Sequence, residues 1–186
     1  MVLPALRPSA LALLLALAAA LDAAAGAQQY EVLSASVRAS LAGAVNDRGS
    51  VDFKDLDTRA WVRAMTRRVG SRLGDEESTR QFLALVRYES LRAGLDPHVV
   101  LAVIEVESRF RKYAVSKAGA RGLMQVMPFW VKEIGGTRDN LFHERTNLRY
   151  GCTILRHYLD RERGNLSTHW VATTAAWANR TIRIWC

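Results

Sequence analysis

Asp96-Pro97-His98-Val99-Val100-Leu101-Ala102-Val103-Ile104-Glu105-Val106-Glu107 is the stretch on which the fold turns. Asp is a good N-cap, because its side-chain oxygen accepts from backbone N–H groups that have no partner in the first turn. Pro at the first helical position has no N–H to leave unsatisfied. Behind this start, Val99, Val100, Val103, Ile104 and Val106 are apolar around most of a helical circumference. That predicts a helix buried on nearly every side.

The neighbouring segments supply partners for it. Before the turn-like Asn46-Asp47-Arg48-Gly49-Ser50 the periodicity is modest and predicts one weak helix. From about Thr58, Trp61, Met65, Val69 and Leu73 repeat at helical spacing, and Gly74 provides a stop. Another helix is expected over Ser78 to Ala93, with Phe82, Leu85 and Val86 inward and Gly94 at the C′ position. A further one is expected over Leu148 to Arg163, capped by Thr146 or Asn147 and closed by Gly164. No stretch alternates as a strand does, and nothing repeats. The fold class is all-α.

Two carboxylates lie near the end of the buried helix, and helical geometry separates them. Glu105 has Arg109 at i+4, the arrangement of a solvated surface ion pair. Glu107 shares its face with Val100, Val103, Ile104 and Phe110. Burial there disfavours the ionised form and raises the pKa, as a general acid near neutrality requires. Periodicity alone leaves equal room for a helix-end Glu that reaches past its neighbours to water.

The residues beyond Glu107 carry more information. Glu107-Ser108-Arg109-Phe110 leads to Ala114, Ser116 and Gly119-Ala120, then to Gly122-Leu123-Met124-Gln125-Val126-Met127-Pro128. This block resembles the soluble lytic transglycosylase family, with its E-S-x-F start, A-x-S-x-x-G-A link and G-L-M-Q-x-M-P end. Upstream Ala93-Gly94-Leu95-Asp96-Pro97 also fits. Downstream, Asn147 and Gly151 match the family's N-x-x-x-G and Tyr158-Leu159 its Y-L. The likeness runs from Ser78 to about Ser167, half the chain.

The resemblance implies a lysozyme-like α-domain with a sugar-binding groove, acting on peptidoglycan glycan strands without cofactor or metal. By the same implication Glu107 is the catalytic acid and then base, and the product is a 1,6-anhydromuramic sugar. Ser108, Ser116, Gly122, Met124 and Gln125 take the substrate-binding positions. One carboxyl group suffices for such chemistry, whereas most glycosidases use a flanking pair. Glu133, Asp139 and Glu144 read as surface charge. Without the resemblance, Met124 and Met127 read as core, and Phe129 and Trp130 either stack on sugars or pack inside.

The resemblance breaks after Gly164-Asn165-Leu166-Ser167. The family continues with a segment like A-L-A-A-Y-N-A-G, whereas this chain reads Thr168-His169-Trp170-Val171-Ala172-Thr173-Thr174 and ends at Cys186. Back-translating His169 to Ala176 and starting each codon at the third base of the preceding one forces Leu and Gly, then permits Arg, Tyr, Asn, Gly and Ser. The hidden reading A-L-G-R-Y-N-G-S is the missing segment at the right place, so Thr168 to Cys186 reads as out of frame. A chain lacking the Tyr-Asn segment is also open to another reading, a catalytically impaired wall-binding module. A lysozyme-like hydrolase is the alternative within enzymes.

The ends and the charge bear on location. Arg7 precedes an unbroken apolar run from Ala10 to Leu21, and Ala25-Gly26-Ala27 has the form a signal peptidase accepts before Gln28. Residues 1–27 are therefore expected to direct export to the periplasm, with no lipid anchor because no Cys lies near the cleavage site. The domain boundaries expected are a helical extension over 28–77, the transglycosylase domain over 78–167 and an aberrant tail over 168–186. Net charge is +8. Lys and Arg are scattered without the clustering of a DNA-binding helix, which favours an anionic wall polymer over nucleic acid. No membrane insertion is expected after cleavage, and the protein is expected to act as a monomer. Cys152 lies in an apolar helical pattern and reads as a buried free thiol.

Overall fold

The computed structural model describes residues 30, 32–47, 49–51, 55–136 and 138–161. Their elements in order are α1 (Ala35–Asn46), α2 (Leu56–Val69), a 3-10 turn (Gly70–Arg72), α3 (Glu76–Arg92), α4 (Pro97–Ser108), α5 (Phe129–Ile134) and α6 (Glu144–Arg161). Among the described residues the protein is all-α, with isolated bridges at Val115–Arg121 and Arg121–Val126 as its only β pairing. The expected leader, and the tail from Thr168 with Cys186, lie outside the described residues. So do Gly164 and the last two residues expected of the final helix.

Short-range chemistry sets the helix starts. Asp55 accepts from Thr58 N at 2.8 Å, Asp75 from Ser78 N at 2.9 Å, and Asp96 from His98 N at 2.8 Å. Each cap satisfies a first-turn donor that has no intrahelical partner. Helix α3 stops as expected. Gly94 has φ +67°, and Leu95 N returns to Ser90 O at 2.9 Å. That closing bond needs a left-handed residue at the turn, and glycine enters that region without a steric cost.

Helix α4 forms the centre. Val100, Leu101, Ala102, Val103 and Ile104 are buried, packed in one core with Leu83 and Val86 of α3 and Leu148, Ile154 and Leu155 of α6. The same core takes in Leu41 and Val45 of α1 and Met65 and Val69 of α2. The N-terminal extension therefore shares the domain's interior. Cys152 is a buried free thiol, and burial pushes its pKa up.

Several expectations need correction. Val106 lies on the exposed side of α4, and Leu85 is only partly buried, while Leu83 and Ala84 face inward on α3. Glu105 pairs with Arg72, not with Arg109. The reason is local. Arg109 is the C-cap, with φ 52° and ψ 44°, so the chain has left the helical path that an i+4 pair requires. Helix α6 starts at Glu144, four residues before Leu148, which puts Asn147 inside it and not at its cap. The six-residue α5 is an element that the sequence pattern does not announce. Its Trp130 is buried in the core, and Phe129 packs edge-on against Tyr30 at 5.5 Å between centroids. Asp139 is exposed but accepts from the buried Tyr150 hydroxyl at 2.6 Å.

Candidate active site

Glu107 is the penultimate residue of α4, on the last turn of the most buried helix. The chain then turns sharply. Arg109 and Phe110 both lie in the left-handed region, with φ 52° and 61°. Each such non-glycine residue costs on the order of 1 kcal/mol or more, so the surroundings must hold it. The holding contacts are visible. Phe110 is buried with its ring edge-on to Phe82 at 6.5 Å, Arg109 N bonds Glu105 O at 3.0 Å, and the Arg111 guanidinium donates to Ser108 O at 3.0 Å. Strained backbone held this firmly, directly after a partly buried, desolvated carboxyl, is a feature of functional sites.

The Glu107 carboxyl has no hydrogen bond or ion pair among the described residues. Burial raises its pKa from 4.5 to about 7, and desolvation is the whole cause. A carboxyl in this state exists as both acid and base near neutral pH, which fits proton donation followed by proton abstraction at one group. Glu105, two residues earlier, is paired with Arg72.

The segment after α4 folds on itself. Gly122 N returns to Ala114 O at 2.9 Å, Arg121 and Val126 exchange two backbone bonds, and the Gln125 amide donates to Gly122 O at 2.8 Å and Ala114 O at 3.2 Å. Ser116 closes a smaller turn, its Oγ accepting from Ala120 N at 3.0 Å. Thus Ser116, Gly122, Met124 and Gln125 occupy one loop, while Ser108 lies beside Glu107 on α4. Their visible contacts are internal. The Ser108 hydroxyl donates back to Ile104 O at 3.0 Å, and Met124 is fully buried.

Helix α6 clamps this loop through two residues whose part in it the sequence does not reveal. Asn147 Oδ1 accepts from Met124 N, and its Nδ2 donates to Arg121 O and Leu141 O, each at 2.8 Å. One turn on, Gly151 faces the same loop. A Cβ there would come within 2.7 Å of the Met124 Cβ. Gly122 has φ +77°, and a Cβ on it would sit 2.6 Å from Leu141 O. The N-x-x-x-G spacing thus places an amide and a bare backbone on one helix face, both against the loop. The signal available in the sequence is that i, i+4 pair. The candidacy of Asn147 as a cap obscures it.

Asn147→Asp keeps the acceptor for Met124 N and removes both donated bonds. A loss of about 2 to 4 kcal/mol in unfolding free energy is expected, since the buried Leu141 carbonyl loses its side-chain donor, Arg121 O is left with Val126 N alone, and a charge is buried. Denaturant titration measures it. A change below about 0.5 kcal/mol would show that the clamp is idle.

Comparison with known proteins adds an independent line. The transglycosylase SLT domain family matches residues 84–183, a span that continues past Ser167. The chain is 44% identical over 98 residues to the membrane-bound lytic murein transglycosylase C of Glaesserella parasuis, covering 46% of this chain and 27% of that protein. It is 53% identical over 53 residues to the protein of that name from Actinobacillus pleuropneumoniae, covering 28% and 14%. For the one from Mannheimia succiniciproducens the identity is 49% over 85 residues, covering 41% and 24%. The matched part thus spans about a quarter or less of the length of these relatives.

Proposed function

Because the chain belongs to the transglycosylase SLT domain family, we propose that it is a lytic transglycosylase acting on peptidoglycan in the cell envelope, with Glu107 as acid and then base. The observation that carries this reading is the isolated, desolvated Glu107 carboxyl, with a pKa raised to about 7. In its protonated form it donates to the glycosidic oxygen between N-acetylmuramic acid and N-acetylglucosamine, and the bond to the muramic C1 breaks. The resulting carboxylate takes the proton from the muramic C6 hydroxyl, and that oxygen closes onto C1. Glu107 ends protonated, as it began, and no water is consumed. A single carboxyl serves both steps, which suits a site where no second acid is needed. Ser108, Ser116, Gly122, Met124 and Gln125 support this site as parts of α4 and of the loop that α6 clamps.

The tail is part of the same proposal. Thr168 to Cys186 is read out of frame, and the in-frame A-L-G-R-Y-N-G-S segment completes the site. The test assays the chain as written and the frame-restored chain side by side on purified sacculi, with products weighed by mass spectrometry. Restored turnover, with muropeptides lighter by one water than hydrolytic products, is the expected result. Products that carry the added water would replace the transglycosylase by a hydrolase. Equal turnover from the two chains would remove the frame argument alone.

A further inference from the structure

Helix α2 carries a feature that glycan cleavage does not use. Val62, Met65 and Val69 bury its inner face in the core. On its outer side, Leu56, Arg59, Arg63 and Arg67 are all exposed. At 3.6 residues per turn these four positions fall within a wedge of about 80°, along roughly 16 Å of helix. Arg59, Arg63 and Arg67 have no hydrogen bond or ion pair among the described residues. Asp57, the one acid on this helix, lies off the stripe. Leu56 is 72% exposed at the head of the row.

Beside the stripe, a groove of about 370 Å³ runs between α2 and α3. Arg59, Arg63 and Arg80 line it over a floor that includes Val62 and Ala84, with Glu77 as the single carboxylate among its lining residues. Glu77 is engaged by the Gln81 amide at 2.8 Å, and Arg80 pairs with Glu76. The Arg59 and Arg63 guanidinia are left to meet an external anion, and their forked donors suit the oxygens of a phosphate.

We propose that the outer face of α2 docks the protein onto an anionic phospholipid surface. Phosphate headgroups meet Arg59, Arg63 and Arg67, and Leu56 enters the interface. The combination of features selects this partner. A single-sign cationic row with an exposed aliphatic residue at its head matches both parts of a lipid interface, the charged headgroups and the acyl boundary beneath them. A soluble anionic polymer satisfies the arginines alone and leaves Leu56 in water. Docking uses the face of α2 turned away from Val62, Met65 and Val69, which stay packed in the core.

The experiment sediments the full chain with vesicles of phosphatidylcholine containing phosphatidylglycerol, and with vesicles of phosphatidylcholine alone. Binding to the anionic vesicles only, weakened by added salt, is expected. The Arg59→Gln, Arg63→Gln, Arg67→Gln triple variant should bind on the order of a hundredfold more weakly, and each single variant about fivefold. Leu56→Ser should weaken binding without changing its salt dependence. All four side chains are exposed, and a matching circular dichroism melt confirms that the variants fold. Undiminished vesicle binding by the triple variant overturns the proposal, as does equal binding to neutral vesicles. A triple variant that loses affinity for purified sacculi but keeps it for anionic vesicles overturns it in favour of a wall-polymer site.

Discussion

Glu107→Gln is expected to lower glycan cleavage by the frame-restored chain at least about a hundredfold while leaving the fold intact. The amide occupies the same volume but neither donates an acidic proton nor accepts one back. Glu105→Gln removes only the pairing with Arg72, whose guanidinium is half exposed, and is expected to cost little activity and under about 1 kcal/mol of stability. Equal loss of activity from the two changes would sink the assignment of Glu107. The pH profile should also respond. The acid form is needed for the first step, so activity should fall as pH rises above about 7, the value to which burial moves this carboxyl.

The same substitution should raise stability, and the pH dependence identifies the cause. Glu107 has a folded-state pKa of about 7 against 4.5 for the exposed group. The folded protein therefore holds this proton more tightly than the unfolded chain does. Between those two values the wild type loses stability as pH rises, because ionising the buried carboxyl opposes folding. Gln carries no such charge. Its advantage should be absent below about pH 4.5 and complete above about pH 7, at roughly 1 to 3 kcal/mol. Thermal unfolding of both proteins at pH 4 and pH 8 measures this. A site that gains stability when its functional group is removed is one where burial was retained for chemistry.

How far the sequence reaches depends on how local each determinant is. The Asp96-Pro97 start, the Gly94 stop and the buried face of α4 are set by residues within a turn or two of one another, and the structure has all three. The desolvation of the Glu107 carboxyl is legible for the same reason, since Val100, Val103 and Ile104 lie on its own helix. Contacts between distant segments are not legible. Glu105 finds Arg72, from the turn after α2, because the left-handed Arg109 swings out of helical register. Asn147 passes for a cap because capping and clamping use the same side chain, and only the start of α6 at Glu144 separates them. Helix α5, six residues long, is too short to show a period.

Glu89 is the clearest case of a determinant invisible in sequence, and it carries the largest expected effect on stability. It sits on α3 as an ordinary glutamate, yet it is fully buried. Its carboxylate accepts from Arg92 at 2.9 Å and from Arg149 at 2.9 Å, with Arg145 at 3.7 Å. The arginines reach onward. Arg92 donates to Ala44 O at 2.6 Å, Arg149 to Asp47 O, and Arg145 to Gly49 O. One carboxylate thus ties α3 and α6 to the end of α1 and the turn behind it, and α6 in turn clamps the loop through Asn147. Glu89→Leu fills the space but leaves the largely buried Arg149 without its anion, and Arg92, also largely buried, with only the exposed Asp47 carboxylate at 3.8 Å. A loss of about 3 to 5 kcal/mol is expected, a large fraction of the roughly 5 to 15 kcal/mol typical of a whole domain. The Glu89→Leu, Arg149→Leu double variant should lose less than the sum of the two single changes, because each single change strands the other's charge. Urea titration of the four proteins gives the coupling directly. Additive losses would mean that Glu89 and Arg149 act independently and that this ion pair does not tie α6 to α3.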